Sequence, residues 1–302
     1  MKKLLLTGAS GFLGWNVCHF ARPDWRIIGT YWQNKDGIHL KTEAMQVDLR
    51  DKDQIWKAIK QVKPDVVFHL AACSNTNYCE QNPEETRQLN VEATANLAEM
   101  CDDRRVRLLF TSSEQVFDGS KERYAESDPP DPRNEYGKQK LEAEKMILER
   151  YPASIIVRIA VMFGQSGQVG KSFLQQWLET WQTFLPVTAF HDEIRSFLSG
   201  RSAVQGLFTL LDQDASGIFN LAGEAPLSRY EFALLAKQIF NLTEGKVIPK
   251  SRQEVEMAAY RPPNLTLDNH KISSTGFRPS HPRDELIELA KEIVLPPRFS
   301  EN

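Results

Sequence analysis

Short apolar runs alternate with amphipathic segments through the first half of the chain. Six of these runs have the length of a buried strand, and helical periodicity fills the stretches between them. Strands buried on both faces have continuous hydrophobic runs, as in a parallel sheet that helices cover on both sides. The pattern therefore predicts an α/β fold built from successive βαβ units. The predicted strands are residues 3–7, 26–31, 45–47, 66–70, 107–111 and 155–159.

Two connections between these elements are unusually polar, at residues 74–83 and 118–134. The second contains the run 129–132, in which three of four residues are proline, and proline excludes regular helix. Long loops after parallel strands are common places for ligand contacts. We therefore expect two ligand-facing loops here.

The pattern changes beyond about residue 164, where strands become fewer. A Trp-rich helix is predicted over residues 173–184, and another over residues 229–240 with Ser228 as its N-cap. This change indicates two parts of the molecule. The prediction is a Rossmann-type doubly wound parallel sheet in residues 1–163 and a smaller α/β substrate-binding lobe in residues 164–302, with segments that can interleave.

Composition narrows the class of protein. The 302 residues are 41% hydrophobic and 25% charged, which is typical of a globular chain. The net charge of −3 provides no basic surface for nucleic acid, and no apolar run is long enough to span a membrane. The apolar start ends at Thr7, which favours a buried strand over a signal peptide, so a cytoplasmic protein is expected. The cysteines, scattered without zinc-site or redox spacing, are expected to be reduced thiols and no metal is predicted: Cys18, Cys73, Cys79 and Cys101.

The first predicted strand runs directly into a glycine-rich turn, Gly8-Ala9-Ser10-Gly11-Phe12-Leu13-Gly14, followed by an apolar-periodic helix. Glycine permits a tight turn and a close approach of the backbone to pyrophosphate, and the helix N-terminus offers free N–H groups. This strand–turn–helix context predicts a dinucleotide site with contacts from Gly8, Ser10, Gly11, Phe12, Leu13 and Gly14.

The end of the second predicted strand bears on the choice of cofactor. NAD enzymes usually carry an acid here, but Thr30-Tyr31-Trp32-Gln33 has none. A 2′-phosphate would not be repelled, and Lys35 or Lys41 could contact it. We therefore expect NADPH, with NADH as the alternative, and contacts from Tyr31 and from Asp48-Leu49 near the adenine.

Tyr136 and Lys140 are four residues apart and hence share one helix face. A nearby cation favours phenolate, so it is expected to lower the pKa of the tyrosine and make it a competent acid or base. The preceding strand ends in Ser112-Ser113, whose hydroxyls could hydrogen-bond a substrate carbonyl. Ser113, Tyr136 and Lys140 are therefore the candidate catalytic residues.

Together these motifs resemble the extended short-chain dehydrogenase/reductase family, across essentially the whole chain. The residues that carry the resemblance are Gly8-x-x-Gly11-x-x-Gly14, Asp48-Leu49, His69-Leu70-Ala71-Ala72, Asn90-Val91, Ser112-Ser113 and Tyr136-x-x-x-Lys140. Val116-Phe117-Asp118-Gly119 and the run 217–223 are most similar to the dTDP-4-dehydrorhamnose reductase group within it.

The resemblance implies a role for each site residue. Ser113 would orient the carbonyl, Tyr136 would deliver the proton, and Lys140 would hold the nicotinamide ribose. Further cofactor contacts are implied for Leu70, Ala71 and Ala72. Substrate contacts are implied for Ser112, Glu114, Arg195 and Arg261. The implied substrate is a nucleotide-linked 4-keto sugar, and a homodimer is the partner to expect.

The pair after Ser113 separates reaction types. Relatives that dehydrate nucleotide sugars carry Asp-Glu there, whereas this chain has Glu114-Gln115, and an amide cannot serve as the required base. Reduction is therefore expected. A sugar-nucleotide epimerase and a non-catalytic regulatory subunit, similar to the β subunit of methionine adenosyltransferase, remain as alternatives.

Overall fold

The computed structural model describes residues 1–40 and 42–293 of the protein. The strands, numbered in chain order, are β1 Lys2–Thr7, β2 Trp25–Tyr31, β3 Glu43–Gln46, β4 Val66–His69, β5 Arg107–Ser113, β6 Ile155–Ile159, β7 Met162–Phe163, β8 Val187–Phe190, β9 Ile194–Arg195, β10 Leu198–Ser199, β11 Gly217–Leu221, β12 Leu227–Ser228 and β13 Val247–Lys250. The α-helices are α1 Phe12–His19, α2 Lys52–Val62, α3 Thr76–Gln81, α4 Pro83–Arg87, α5 Ala93–Arg104, α6 Glu135–Arg150, α7 Phe173–Gln182, α8 Gly200–Asp212, α9 Arg229–Ile239, α10 His270–Ser273 and α11 Pro282–Glu292. A π-helical turn, Gln88–Glu92, joins α4 to α5.

Seven parallel strands form the central sheet, in the order β3-β2-β1-β4-β5-β6-β11. The order 3-2-1-4-5-6 is that of dinucleotide-binding folds, so the fold class predicted from the sequence is confirmed. Winding reverses between β1 and β4, and the carboxyl ends of these two strands diverge there. Ligands of such sheets bind in the crevice at this reversal point.

Two apolar cores cover the sheet because side chains alternate between its faces along each strand. Leu4 and Leu6 of β1 pack with α1 and α8 on one face. Leu5 packs with α2, α5 and α6 on the other face. This double burial explains why the central strands are continuously hydrophobic in the sequence.

A smaller lobe has its own core around Trp181 of α7 and Phe232 of α9. The predicted N-cap Ser228 is confirmed: it forms a reciprocal capping box with Glu231 at the start of α9. However, α8 packs on α1 and β11 extends the main sheet. The chain beyond residue 164 thus contributes to both parts of the molecule.

Residues 74–83 differ from the expected loop, because α3 and the start of α4 lie there. Asn75 caps α3 by accepting from the Tyr78 N–H at 3.1 Å, and Pro83 occupies the first turn of α4. Both are local helix-start signals that need no apolar periodicity. Residues 118–134 hold no named helix or strand, as expected from their prolines.

The described helices are all too short or too polar to cross a lipid bilayer. Within the same residues, no three His, Cys, Asp or Glu side chains cluster as metal ligands would. The four cysteines are free thiols, and Cys73 is the one that is partly exposed.

Candidate active site at the carboxyl ends of the strands

A groove with a volume of about 520 Å³ lies at the carboxyl ends of β1, β2, β4 and β5. Its walls bring together fourteen residues that the sequence assigned to cofactor binding. They are Gly8, Ser10, Gly11, Phe12, Leu13, Gly14, Tyr31, Asp48, Leu49, Leu70, Ala71, Ala72, Tyr136 and Lys140. Contact of these residues with a cofactor stays a prediction, but their convergence on one crevice meets its geometric requirement.

The glycine turn has the geometry that a dinucleotide requires. Gly8 adopts a φ of +71°, and a Cβ there would lie 2.8 Å from the Ala71 backbone. A Cβ at Gly14 would lie 2.1 Å from the carbonyl oxygen of Gly8. Larger residues therefore do not fit at either position, and the turn delivers the N-terminus of α1 to the groove with its backbone N–H groups available.

A buried polar chain that the sequence analysis missed holds the floor of the groove. His69 Nδ1 lies 2.7 Å from Thr7 Oγ1, and His69 Nε2 lies 2.8 Å from Thr94 Oγ1. Complete burial lowers the pKa of His69 to about 3, so the imidazole is neutral. Thr7 also accepts from the N–H groups of Leu70 and Ala71. The chain thus ties β1 to β4 at the reversal point.

The far end of the groove carries a cation that sequence reasoning did not name. Arg50 donates to both carboxylate oxygens of Asp48, at 2.9 and 2.7 Å, and lowers the pKa of that carboxyl. The Arg50 guanidinium also lies 5.7 Å from the Trp32 ring centroid. Lys35 is exposed and is not among the residues that line the groove, and Lys41 lies outside the described residues.

Two of the three candidate catalytic side chains line the groove, and the third lies next to them. Tyr136 and Lys140 project from α6 into the groove. Ser113, the last residue of β5, is close enough to act on the pKa of Tyr136, and its hydroxyl accepts from the Gln115 N–H at 3.2 Å. The Lys140 Nζ donates to the Thr111 carbonyl oxygen at 2.8 Å and lies 5.9 Å from the Tyr136 ring centroid. The helix therefore presents the phenol and the Lys140 amino group to the groove, with the end of β5 beside them.

Burial controls the ionisation of this group. It raises the pKa of Tyr136 above its usual value, against the opposing hydrogen bond from Ser113. It also lowers the pKa of Lys140 to about 7. The lowered tyrosine pKa expected from a neighbouring cation is therefore wrong for this arrangement, because desolvation of the phenolate is the larger effect.

A close helix–turn contact explains why Tyr136 meets Ser113. Asn134 caps α6 by accepting from the Gly137 N–H at 2.9 Å. A Cβ at Gly137 would lie 2.1 Å from the carbonyl oxygen of Gln115. The absence of a side chain at this position lets the first turn of α6 rest directly on the chain that follows Ser113.

Ser112 is paired elsewhere, although it lines the groove. Its hydroxyl donates to Glu144, and Glu144 forms a buried ion pair with Arg158 at 2.7 Å. The predicted contact between Ser112 and substrate is therefore not supported, because the Ser112 hydroxyl already donates its hydrogen bond to the buried Glu144 carboxylate.

Glu114 and Arg195 also lie away from the groove, in contrast to their predicted contact with substrate. The two side chains are 3% and 1% exposed and form a buried ion pair with a 3.1 Å Nε–Oε1 distance. Arg195 also pairs with Glu193, and burial raises the pKa of Glu114 to about 7. Arg261 is largely buried near the same Glu193 carboxylate. Solvent does not reach the Glu114–Arg195 pair, and Arg261 does not line the groove either.

Fold and groove together define the class of extended short-chain dehydrogenase/reductase folds: a reversal-point groove, a glycine turn at its floor, Tyr136 and Lys140 on its wall, and Ser113 at the end of the adjacent strand. The chain belongs to the family described as RmlD substrate binding domain, which it matches over residues 1–295. Each of the three proteins compared below matches most of the chain.

The β subunit of methionine adenosyltransferase 2 from Danio rerio is 29% identical over 91% of this chain and 85% of that protein. A hypothetical dTDP-4-dehydrorhamnose reductase from Sulfolobus tokodaii is 29% identical, with a TM-score of 0.79 over 91% of this chain and 94% of the other. The dTDP-4-dehydrorhamnose reductase of Bacillus anthracis, solved with NADP, has a TM-score of 0.87 at 22% identity, over 97% of this chain and all of the other.

Proposed function

We propose that the protein is an NADPH-dependent reductase of a nucleotide-linked 4-keto sugar. The observation that carries the proposal is that Tyr136 and Lys140 line the groove whose floor is the glycine turn, with Ser113 next to Tyr136 at the end of β5. A dinucleotide laid along that turn brings its nicotinamide end toward the carboxyl end of β5.

Each side chain has a distinct task in this reaction. The bound cofactor supplies the hydride. The Ser113 hydroxyl donates to the carbonyl oxygen of the sugar and fixes its position beside Tyr136. The Tyr136 phenol then transfers its proton to that oxygen as negative charge develops, and its raised pKa keeps it protonated before turnover. Lys140, held by the Thr111 carbonyl, keeps a further N–H donor for a ribose hydroxyl, even as a neutral amine.

NADPH is the proposed cofactor. No acid at the end of β2 repels a 2′-phosphate, and Arg50 offers a guanidinium at the same end of the groove. A structural neighbour from Bacillus anthracis binds NADP in the same fold. Dissociation constants measured by calorimetry test this choice: NADPH should bind more tightly than NADH, and equal constants would overturn it.

Turnover is tested by following NADPH oxidation with 4-keto sugars linked to dTDP, GDP and UDP. We expect one of them to be reduced, with loss of most turnover in Ser113→Ala and little loss in Ser154→Ala, a buried serine away from the groove. Net oxidation of NADPH also separates reduction from epimerisation, because an epimerase regenerates its cofactor in each cycle.

A second function is favoured by the methionine adenosyltransferase β subunits, which match 91% of the chain at 29% identity. In that function the groove would hold NADPH without turnover, and the partner would be a methionine adenosyltransferase catalytic chain. Co-elution with such a chain in size-exclusion chromatography, together with no reduction of any keto sugar, would favour this alternative. Turnover without co-elution would reject it.

A further inference from the structure

Two cysteine thiols lie side by side after β4, and the proposed reduction uses neither. Cys73 lies on the groove wall and is partly exposed, whereas Cys79, in α3, is completely buried. The Cys79 thiol donates to the Cys73 carbonyl oxygen at 3.3 Å. This contact makes the two cysteines direct neighbours, with one on the groove wall and the other behind it.

Neighbouring groups hold this pair in place. The Asn90 side chain accepts from the Cys73 N–H at 2.8 Å and donates to the Cys73 carbonyl at 3.1 Å. The same amide lies 3.9 Å from the Cys79 sulfur and 2.8 Å from Gln139 of α6. The dithiol is thus fixed to the helix that carries Tyr136.

The two thiols are chemically unequal. Hydrogen bonds from the Cys79 thiol and from the Asn75 N–H outweigh burial and lower the pKa of Cys73 to about 7. The contact with Cys73, together with burial, raises the pKa of Cys79. Cys73 is therefore the more acidic thiol and the one that faces the groove, and Cys79 is the less acidic thiol behind it.

We propose that Cys73 and Cys79 are a peroxide-sensitive dithiol that closes to an intramolecular disulfide. The Cys73 thiolate attacks the terminal oxygen of a hydroperoxide, the O–O bond breaks, and Cys73 becomes a sulfenic acid; the alkoxide or hydroxide that leaves takes a proton from solvent and becomes an alcohol or water. The Cys79 sulfur then attacks the Cys73 sulfur, the S–O bond breaks, and the Cys79 proton leaves with the hydroxyl as water. Two electrons pass from the dithiol to the peroxide.

Because Cys73 lies on the groove wall, a bound dinucleotide should slow its oxidation. Cys73 is partly exposed and lines the groove, whereas Cys79 and Asn90 behind it are buried, so the groove is a route by which a hydroperoxide reaches Cys73. A dinucleotide in the groove would cover the Cys73 thiol. This shielding, unlike the disulfide itself, rests on the proposed NADPH binding.

Intact-mass spectrometry of the full-length protein after treatment with hydrogen peroxide tests the disulfide. We expect a loss of two hydrogen atoms, reversed by dithiothreitol, and a peptide map that joins Cys73 to Cys79. Cys79→Ser should leave a sulfenic acid on Cys73 that dimedone labels. Cys101→Ser, which changes another completely buried thiol, should form the disulfide as the wild type does.

Three outcomes would overturn the proposal: no mass loss in wild type, over-oxidation of Cys73 without a disulfide, or a crosslink between two chains. These readouts need neither cofactor nor activity, so they are independent of the proposed function.

Shielding is tested with NADPH at saturation, which should slow oxidation of Cys73 at least several-fold. Unchanged oxidation while calorimetry shows bound NADPH would reject shielding, whereas absent NADPH binding would reject the proposed cofactor.

Discussion

At the scale of single residues, burial decides the chemistry of the groove. Desolvation raises the pKa of the Tyr136 phenol and lowers that of the Lys140 ammonium, so both groups favour their neutral forms. The phenol thereby remains a proton donor across the neutral range. Lys140 alone therefore does not make the Tyr136 phenol more acidic. Any lowering of the phenol pKa during turnover must come from the cofactor and substrate bound in the groove.

The role of Tyr136 is tested by removing one oxygen atom. In Tyr136→Phe we expect turnover to fall by about 10²–10⁴-fold, as loss of a general acid does, with an unchanged NADPH dissociation constant. The matched control is Tyr151→Phe, at the far end of α6, which should keep its turnover. Wild-type turnover in Tyr136→Phe would remove Tyr136 from the mechanism.

The lowered pKa of Lys140 predicts that the stability of the folded protein depends on pH. Its pKa is about 7 in the folded protein and 10.5 as an ordinary lysine, so the unfolded chain binds more protons between these values. Protonation of the unfolded chain favours unfolding, so the contribution of Lys140 to stability grows as pH rises from 7. Compared with Lys140→Met, the wild-type free energy of unfolding should increase by up to about 1.4 kcal/mol per pH unit in urea titrations between about pH 7 and 10. Parallel pH profiles for the two proteins would contradict the assigned pKa.

At the scale of elements, one glycine sets the contact between α6 and β5. Gly137 lets the first turn of α6 approach the Gln115 carbonyl, and this contact aligns Tyr136 with Ser113. Alanine has the better helix propensity by up to about 1 kcal/mol, but a backbone clash at this distance outweighs that gain.

Gly137→Ala is therefore expected to destabilise the fold by about 1–3 kcal/mol and to lower turnover through displacement of Tyr136. Thermal unfolding and steady-state kinetics measure the two effects. Lys138→Ala, at the neighbouring exposed position, should change neither. Full activity and stability in Gly137→Ala would show that the helix can shift without cost.

At the scale of the whole molecule, buried charges join the sheet to the smaller lobe. Glu114 follows β5, and Arg195 belongs to β9; their ion pair, with Glu193 beside it, crosses between the two parts. Arg195 also donates to the Pro262 carbonyl at 3.0 Å. Removal of one partner from a buried ion pair leaves the other charge buried, with neither a counter-charge nor water to stabilise it.

Arg195→Met should consequently lower the free energy of unfolding by about 3–5 kcal/mol, measured in urea. Arg201→Met removes an exposed pair with Glu292 and should cost below about 1 kcal/mol. A raised KM for the sugar with wild-type stability in Arg195→Met would instead restore its predicted contact with substrate.

The sequence by itself determined the parallel sheet, the glycine turn at its first β–α junction and the Tyr/Lys helix face. These features depend on local periodicity, on backbone freedom and on spacing along one helix, which neighbours in the chain control. Only the tertiary structure showed that Ser112, Glu114 and Arg195 form hydrogen bonds or ion pairs with buried partners. It also decided that His69 ties β1 to β4, that Arg50 reaches the groove, and that Cys73 meets Cys79. Desolvation and charge pairing depend on which distant segments pack together, and no spacing along the chain records that.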